Sequence, residues 1–499
     1  MRHGLLVVLA AGVLASWTAM AEVKPHALFC GGAVLQQLQP APVWGTAKDG
    51  EQVTVRFAGQ TVTTTARNGQ WMVRLKPLTA SATPRTMTIT GENTVQINDV
   101  LVGEVWVCSG QSNMEWIMQN TARATQDIAQ ASNPQVRLFQ VPKLFAERPT
   151  NTVVGNWVPC APTNVARFTA VGYFFGRDLQ KARKVPVGLI SSSWGGTPAE
   201  SWTAKDTLEA DPSLKKLIED WDKKIAAYDP VKVAERNKAA SEKYKAVLAK
   251  AKAERKSAPR APRPEGDPSK SPNRPAALYN GMIAPLVPYA IKGAIWYQGE
   301  SNAGRAKEYE TLFPAMIKCW RKAWDNSRMP FLFVQIAPHQ NMVPEIREAQ
   351  LYTWQHVPHT AMAVITDFGK ADDIHPRDKE PVGARLALAA RAIAYGERIE
   401  YSGPVFASQM IHDGKAVLKF THVARGLAAK GGELKGFTIA GADKKFVPAV
   451  AKIEGETVVV SSTTVAKPVA VRYGWATVPD VNLYNSEGLP ATPFRSDME

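Results

Sequence analysis

The chain has 499 residues, 45% of them hydrophobic and 21% charged, with a formal charge of +15 at pH 7. That length exceeds one ordinary hydrophobic core and calls for two to four domains, while the composition excludes a disordered or fibrous chain. The charge does not signal nucleic acid. Between Leu214 and Arg274, 17 Lys/Arg stand against 9 Asp/Glu, and no basic run elsewhere is interleaved with aromatics.

Residues 1–21 read as an export signal: Arg2 and His3 open it, Leu5–Leu14 is a short apolar run, and Ala19-Met20-Ala21 is a small-x-small cleavage pattern. The run is too short to span a bilayer, and no later segment approaches the roughly 20 apolar residues a spanning helix needs. Glu22 follows the cut where a lipid-bearing cysteine would stand. The expectation is a soluble chain exported to the periplasm or beyond, with no membrane partner. Cys30, Cys108, Cys160 and Cys319 form no C-x-x-C pair, which argues against a structural zinc site. An oxidising compartment permits disulfides, in any of three complete pairings, although Cys108 in its apolar run reads as a buried thiol.

From 22 to about 100 the chain reads as short strands: Gln52–Phe57, Thr61–Thr65, Gln70–Leu75 and Thr86–Thr90, punctuated by Gly, Asn and Pro. This predicts a small β-sandwich. The texture then changes to apolar runs alternating with helical stretches: Val102–Cys108, Val185–Ser191, Lys292–Tyr297, Pro330–Ile336 and Ala361–Thr366. Such runs, buried on both faces, predict a parallel α/β sheet over 101–400, with chemistry at the carboxyl ends of its strands. An insertion at 214–275 interrupts it. Leu214–Lys256 is rich in Lys, Ala and Glu, with Ala240, Tyr244, Val247, Leu248 and Ala251 at helical spacing, and the Pro/Arg/Ser-rich stretch Ser257–Pro275 follows. The prediction is a helical hairpin standing off the core, then a flexible loop. Over 401–499 strand-like segments return at Ala416–Phe420, Gly436–Ile439, Thr457–Ser461 and Pro468–Arg472, a second β-domain.

Four polar clusters sit at the ends of the α/β strands. In Val107-Cys-Ser-Gly-Gln-Ser-Asn-Met114 a strand runs into Gly110, and a helix is expected through Glu115–Gln119. A serine on such a turn stands proud of the sheet beside free helix N–H groups, although a Ser/Asn helix cap has the same spelling. In Val187-Gly-Leu-Ile-Ser-Ser-Ser-Trp-Gly-Gly-Thr197, Gly195 and Gly196 allow close backbone approach, as an ordinary βα turn also would. In Ala294-Ile-Trp-Tyr-Gln-Gly-Glu-Ser-Asn302, the side-chain amides of Gln298 and Asn302 are candidate donors, or a capped turn. In Asp372-Asp-Ile-His-Pro376 a carboxylate precedes His375, whose Nδ1–H it can accept, leaving Nε2 as base. Together the clusters supply a nucleophile, oxyanion donors, a base and an orienting acid.

Gly110-Gln-Ser-Asn-Met114, Trp-Gly-Gly-Thr around Gly196, Gln298-Gly-Glu300 and Asp373-Ile-His-Pro376 resemble the motifs of the SGNH hydrolases, above all the sialate O-acetylesterases and related carbohydrate acetylesterases. Ala33-Val-Leu-Gln-Gln37, Pro42-Val-Trp-Gly45, Asp99-Val-Leu-Val-Gly103 and Gly488-Leu-Pro-Ala-Thr-Pro-Phe-Arg495 extend the likeness over nearly the whole chain except the 214–275 insertion. The resemblance implies a flavodoxin-like SGNH sheet with helices on both faces, flanked by the two β-domains. It implies Ser112 as nucleophile, His375 as base, and Asp372 or Asp373 as the orienting acid. The implied oxyanion hole uses the Ser112 N–H, Gly195 or Gly196, and an amide from Gln298 or Asn302. No metal or organic cofactor is required, and the expected partner is an acetylated carbohydrate. Trp116, Trp194, Trp202 and Trp296 flank the motif loops and could stack on a sugar face, although most buried tryptophans are simply core; Glu300 is a further candidate sugar contact. Acetylated sialic acid and acetylated xylan or xyloglucan are the competing substrates. A carbohydrate-binding protein with an inactive hydrolase domain is the rival from another class.

Overall fold

The computed structural model describes residues 22–259 and 261–497. The export signal expected at 1–21 lies outside the described residues. Seven strands carry the central sheet among them: β1 (Thr94–Gly110), β2 (Asn133–Gln140), β3 (Trp157–Cys160), β4 (Val187–Ser193), β5 (Gly293–Tyr297), β6 (Phe331–Val334) and β7 (Thr360–Ala363). Their spatial order is β3-β2-β4-β1-β5-β6-β7. The β3 edge strand runs antiparallel to β2, and every other neighbouring pair is parallel. The sheet is therefore mixed, with additional β-sheets on either side of it in sequence.

Alternation along the strands sorts the core into two layers. Val105 and Val107 of β1 pack with Trp296, Phe331 and Phe333 on one face, together with helices α5 (Ala306–Ala323) and α6 (Pro344–His356). Trp106 and Cys108 face the other way, onto α2 (Ala170–Arg183) and α7 (Glu380–Ile393). Two strands of the central sheet escaped the sequence reading. In β2, Pro134, Arg137 and Gln140 break the apolar run; Arg137 is nonetheless buried because Asp99 receives its guanidinium at 2.5 Å. The β3 strand is only four residues long.

The boundary expected near residue 100 falls inside β1. The first half of β1 pairs with Ser81–Thr90 and Val34–Gln36, and the second half is the middle of the central sheet. One uninterrupted backbone thus joins the first β-layer to the site-bearing layer. Buried Glu104 reinforces the joint by accepting from the amides of Gln36 (2.9 Å) and Gln37 (2.6 Å).

Residues of the insertion form the hairpin α3 (Pro212–Ala226) and α4 (Pro230–Ala253), each N-capped by an aspartate, Asp211 and Asp229. The α4 helix buries only Val233, so it does stand off the core. The stretch after it is not a free loop as expected. Tyr244 donates to Pro259 O, Arg236 pairs with Glu265, and Trp221 donates to Pro268 O, laying it back along the hairpin. No helix among the described residues is long and apolar enough to cross a membrane. The C-terminal strands build two four-stranded sheets around a separate core of Leu418, Ile439, Val458, Val471, Tyr473 and Phe494. Arg495, in the last motif, fastens this layer to α6 through Glu348 at 2.7 Å. All four cysteines are unpaired.

Candidate active site

Strand register places the motif loops on one rim. Gly110 at the end of β1 lies opposite Ser193 of β4 and Tyr297 of β5, so the residues just beyond each emerge side by side. Gly110 has φ +141°, and a Cβ there would sit 2.2 Å from Tyr297 O; the turn admits no side chain. Gln111 N–H then donates to Tyr297 O at 3.0 Å, and Ser112 opens α1 (Ser112–Glu115). The helix expected through Gln119 stops after this single turn, because Ile117 makes a bridge to Thr169. A four-residue helix has little macrodipole, so the free N–H groups of its first turn matter more than its length.

His375 reaches the same rim from the loop after β7, and its Nε2 lies 2.8 Å from Ser112 Oγ. The two residues are 263 positions apart in sequence. Trp116 stacks on the imidazole, with ring centroids 5.1 Å apart and planes 23° from parallel. Asp373 is half-buried and accepts from the backbone N–H of His375 at 2.9 Å, while Asp372 is exposed. Among the described residues neither carboxylate is hydrogen-bonded to Nδ1; of the two, Asp373 is the one whose charge acts on the ring. Burial first, then the neighbouring Lys379 and His339, lower the His375 pKa from its usual 6.5, and Asp373 opposes them.

Beneath the pair lies a polar chain that sequence reasoning missed. Lys379 is wholly buried and donates to Asn113 Oδ1 at 2.5 Å. Asn113 Nδ2 donates in turn to Glu300 Oε1 (2.6 Å) and Ile374 O (3.0 Å). Burial raises the Glu300 carboxyl above its usual range, and among the described residues its Oε2 has no hydrogen-bond partner. Glu300, a candidate sugar contact in the sequence, thus braces the Ser112 turn through Asn113. A lysine four residues after the histidine reads as solvated surface in sequence, and nothing local marks it otherwise.

The expected oxyanion donors divide. Gly195 approaches Ser112 closely: a Cβ on it would lie 3.2 Å from Ser112 Cβ. Its N–H, however, donates to the Glu115 carboxylate at 2.6 Å, and that carboxylate also pairs with Lys143, whose ammonium lies 5.4 Å from the Trp194 ring centroid. Gly196 is exposed with φ +76°. Gln298 and Asn302 are buried and turned on each other. Gln298 Nε2 donates to Asn302 Oδ1 (2.6 Å) and Thr197 O (3.3 Å), and Asn302 Nδ2 donates to Glu200 Oε2 (3.0 Å). These bonds tie together the loops that follow β4 and β5. Trp296 and Trp202 are fully buried, packed edge-to-face in the core, which corrects their expected role as sugar contacts; Trp116 and Trp194 remain partly exposed.

A sequence model of the family described as "carbohydrate esterase, sialic acid-specific acetylesterase" matches residues 102–252 and 270–392. The match runs through most of the helical hairpin, which had been expected to lie outside the likeness. Sialate O-acetylesterase of Mus musculus is 31% identical over 91% of this chain and 90% of its own length. That of Homo sapiens is 30% identical over 94% and 91%. A crystal structure of a novel carbohydrate acetylesterase from Xanthomonas citri superposes with a TM-score of 0.81 at 38% identity, covering 96% of this chain and all of the other.

Proposed function

Because the chain belongs to the sialic acid-specific acetylesterase family of carbohydrate esterases, we propose that it frees sugar hydroxyls of acetyl groups through an acetyl-enzyme on Ser112. It is a sialate O-acetylesterase-like carboxylic-ester hydrolase acting on acetylated carbohydrate. The observation that carries the mechanism is the 2.8 Å approach of His375 Nε2 to Ser112 Oγ at the rim of the sheet.

In the first step His375 takes the Ser112 proton as Oγ attacks the acetyl carbonyl. The C–O bond to the sugar breaks and the alkoxide leaves with that proton. Water then attacks the acetyl-enzyme, His375 accepting its proton and returning it to Ser112 Oγ, and acetate departs. Asp373 is the orienting acid of this reading: it ties down the histidine backbone and its charge favours the imidazolium that forms. The oxyanion is received by the Ser112 N–H and by the Gly195 N–H once Glu115 withdraws towards Lys143. One such donor is typically worth about 3 kcal/mol.

The wider arrangement follows the same reading: an SGNH-type catalytic layer over 101–400, flanking β-domains over 22–100 and 401–499, and export of the mature chain. The motif order along the strands supports the first, the separate C-terminal core the second, and the residue pattern of 1–21 the last.

Acetate release from O-acetylated sialic acid, set beside release from acetylated xylan or xyloglucan oligosaccharides, tests the function and chooses its substrate. The proposal predicts release by the wild type and loss of it in Ser112→Ala. Equal release by both proteins, or none from any of these substrates, would sink it.

A further inference from the structure

The mechanism above gives no task to Lys379, yet it is among the most unfavourable residues to bury. An ammonium removed from water is retained only where partners compensate. Here the compensation is incomplete. Among the described residues its one hydrogen bond goes to a neutral amide, Asn113 Oδ1, and the rings of Tyr297 and Trp116 lie 5.2 and 5.8 Å away. The carboxylates of Glu300 and Asp373 act on it from a distance, and among the described residues neither forms an ion pair with it. A charge so weakly neutralised keeps its field.

Its mechanical position is equally specific. Asn113 follows Ser112 in the chain, and Ile374, whose carbonyl Asn113 holds, precedes His375. A single amide therefore links the backbones that carry the nucleophile and the base, and Lys379 fixes the orientation of that amide by occupying its oxygen. Glu300 holds one of the amide hydrogens from the third strand end.

We infer that Lys379 is a positioning residue: it locks Asn113 as the brace between the Ser112 turn and the His375 loop, and its buried charge opposes a second positive charge on the imidazole. The inference rests on the reading of Ser112 and His375 given above. The groups that act on the His375 ring are Lys379 and His339, which disfavour its protonation, and Asp373, which favours it. Burial lowers Lys379 itself to about 7, so most of it is protonated in the range below 6.5 in which His375 takes up its proton. The brace holds at higher pH too, because a neutral amine still donates to Asn113.

The test follows the imidazole directly. With 13Cε1-labelled histidine and His375→Gln for assignment, the NMR titration midpoint of His375 is expected below 6.5 in the wild type. In Lys379→Met and Lys379→Gln it moves upward by about half a pH unit or more, and the acid limb of kcat/KM moves with it. Lys379→Met, which cannot donate to Asn113, also lowers kcat by roughly tenfold or more; Lys379→Gln, which can donate but carries no charge, recovers part of that loss. A wild-type midpoint at or above 6.5 overturns the inference. So does loss of turnover in the variants with the midpoint unmoved, the outcome of a merely structural lysine. If Lys379→Met fails to fold, the wild-type and Lys379→Gln midpoints still decide. If no acetyl ester is hydrolysed at all, the proposed function fails, and the NMR midpoints judge the charge effect independently.

Discussion

The indole of Trp116 and the imidazole of His375 lie nearly parallel, 5.1 Å between centroids, so the tryptophan forms a wall of the imidazole. A ring backed on one face has less freedom to swing away from Ser112 Oγ. Trp116→Leu should therefore lower kcat roughly ten- to a hundredfold while changing KM little. Steady-state kinetics on a chromogenic acetyl ester measures the split; a rise in KM alone would return Trp116 to sugar binding.

Ser112→Ala removes the attacking oxygen and should lower turnover by on the order of 10³-fold or more. His375→Ala should do about the same, and the double variant should be little worse than either, since the two act as one unit. A cleanly folded Ser112→Ala protein with near-normal kcat rules out the acetyl-enzyme route.

The pH dependence has a definite sign. In the proposed mechanism His375 must be neutral to accept the Ser112 proton, and burial together with Lys379 lowers its pKa from 6.5. Activity is thus lost as pH falls through a midpoint below 6.5, and is full above it on this limb. A kcat/KM profile with its acid midpoint above 6.5 contradicts the environment described for the ring.

The two neighbouring aspartates are separable. Asp373 accepts from the His375 backbone and lends its charge to the imidazolium, whereas Asp372 faces solvent. Asp373→Ala should cost about tenfold or more in kcat/KM, well beyond the effect of Asp372→Ala. The reverse order would assign the orienting role to Asp372.

Glu115 and Lys143 make the last prediction. The Glu115 carboxylate accepts from the Gly195 N–H while paired with Lys143, and in the proposed mechanism Lys143 is the cation towards which it withdraws. Without Lys143, a negative charge stays beside the developing oxyanion. Lys143→Ala should slow kcat several-fold, about 1 kcal/mol, and adding Glu115→Gln should restore much of it. Strict additivity in this double-mutant cycle would dissolve the link.

Much of the architecture was legible because the patterns that encode it are local. Continuous apolar runs marked β4, β5, β6 and β7 to within a few residues, and the second half of β1, since strands buried on both faces tolerate little else. Strand β2 escaped because Arg137, whose charge is answered by Asp99 from another segment, breaks the run. The helix after Ser112 was overdrawn for the same kind of reason: Thr169, distant in sequence, takes Ile117 into a bridge after one turn.

What the sequence by itself determined is the class of the protein and its inventory: strands, turns, a serine after Gly110, a histidine after two aspartates, and a family likeness resting on those letters. Tertiary structure alone decided how that inventory is used. Sheet order and register, which no local pattern carries, bring positions 112 and 375 to 2.8 Å, turn the amides of Gln298 and Asn302 onto each other, and seal Trp296 in the core. The same packing buries the ammonium of Lys379, because a polar side chain's role depends on which partners and how much water surround it, and both are set by segments far away in the chain.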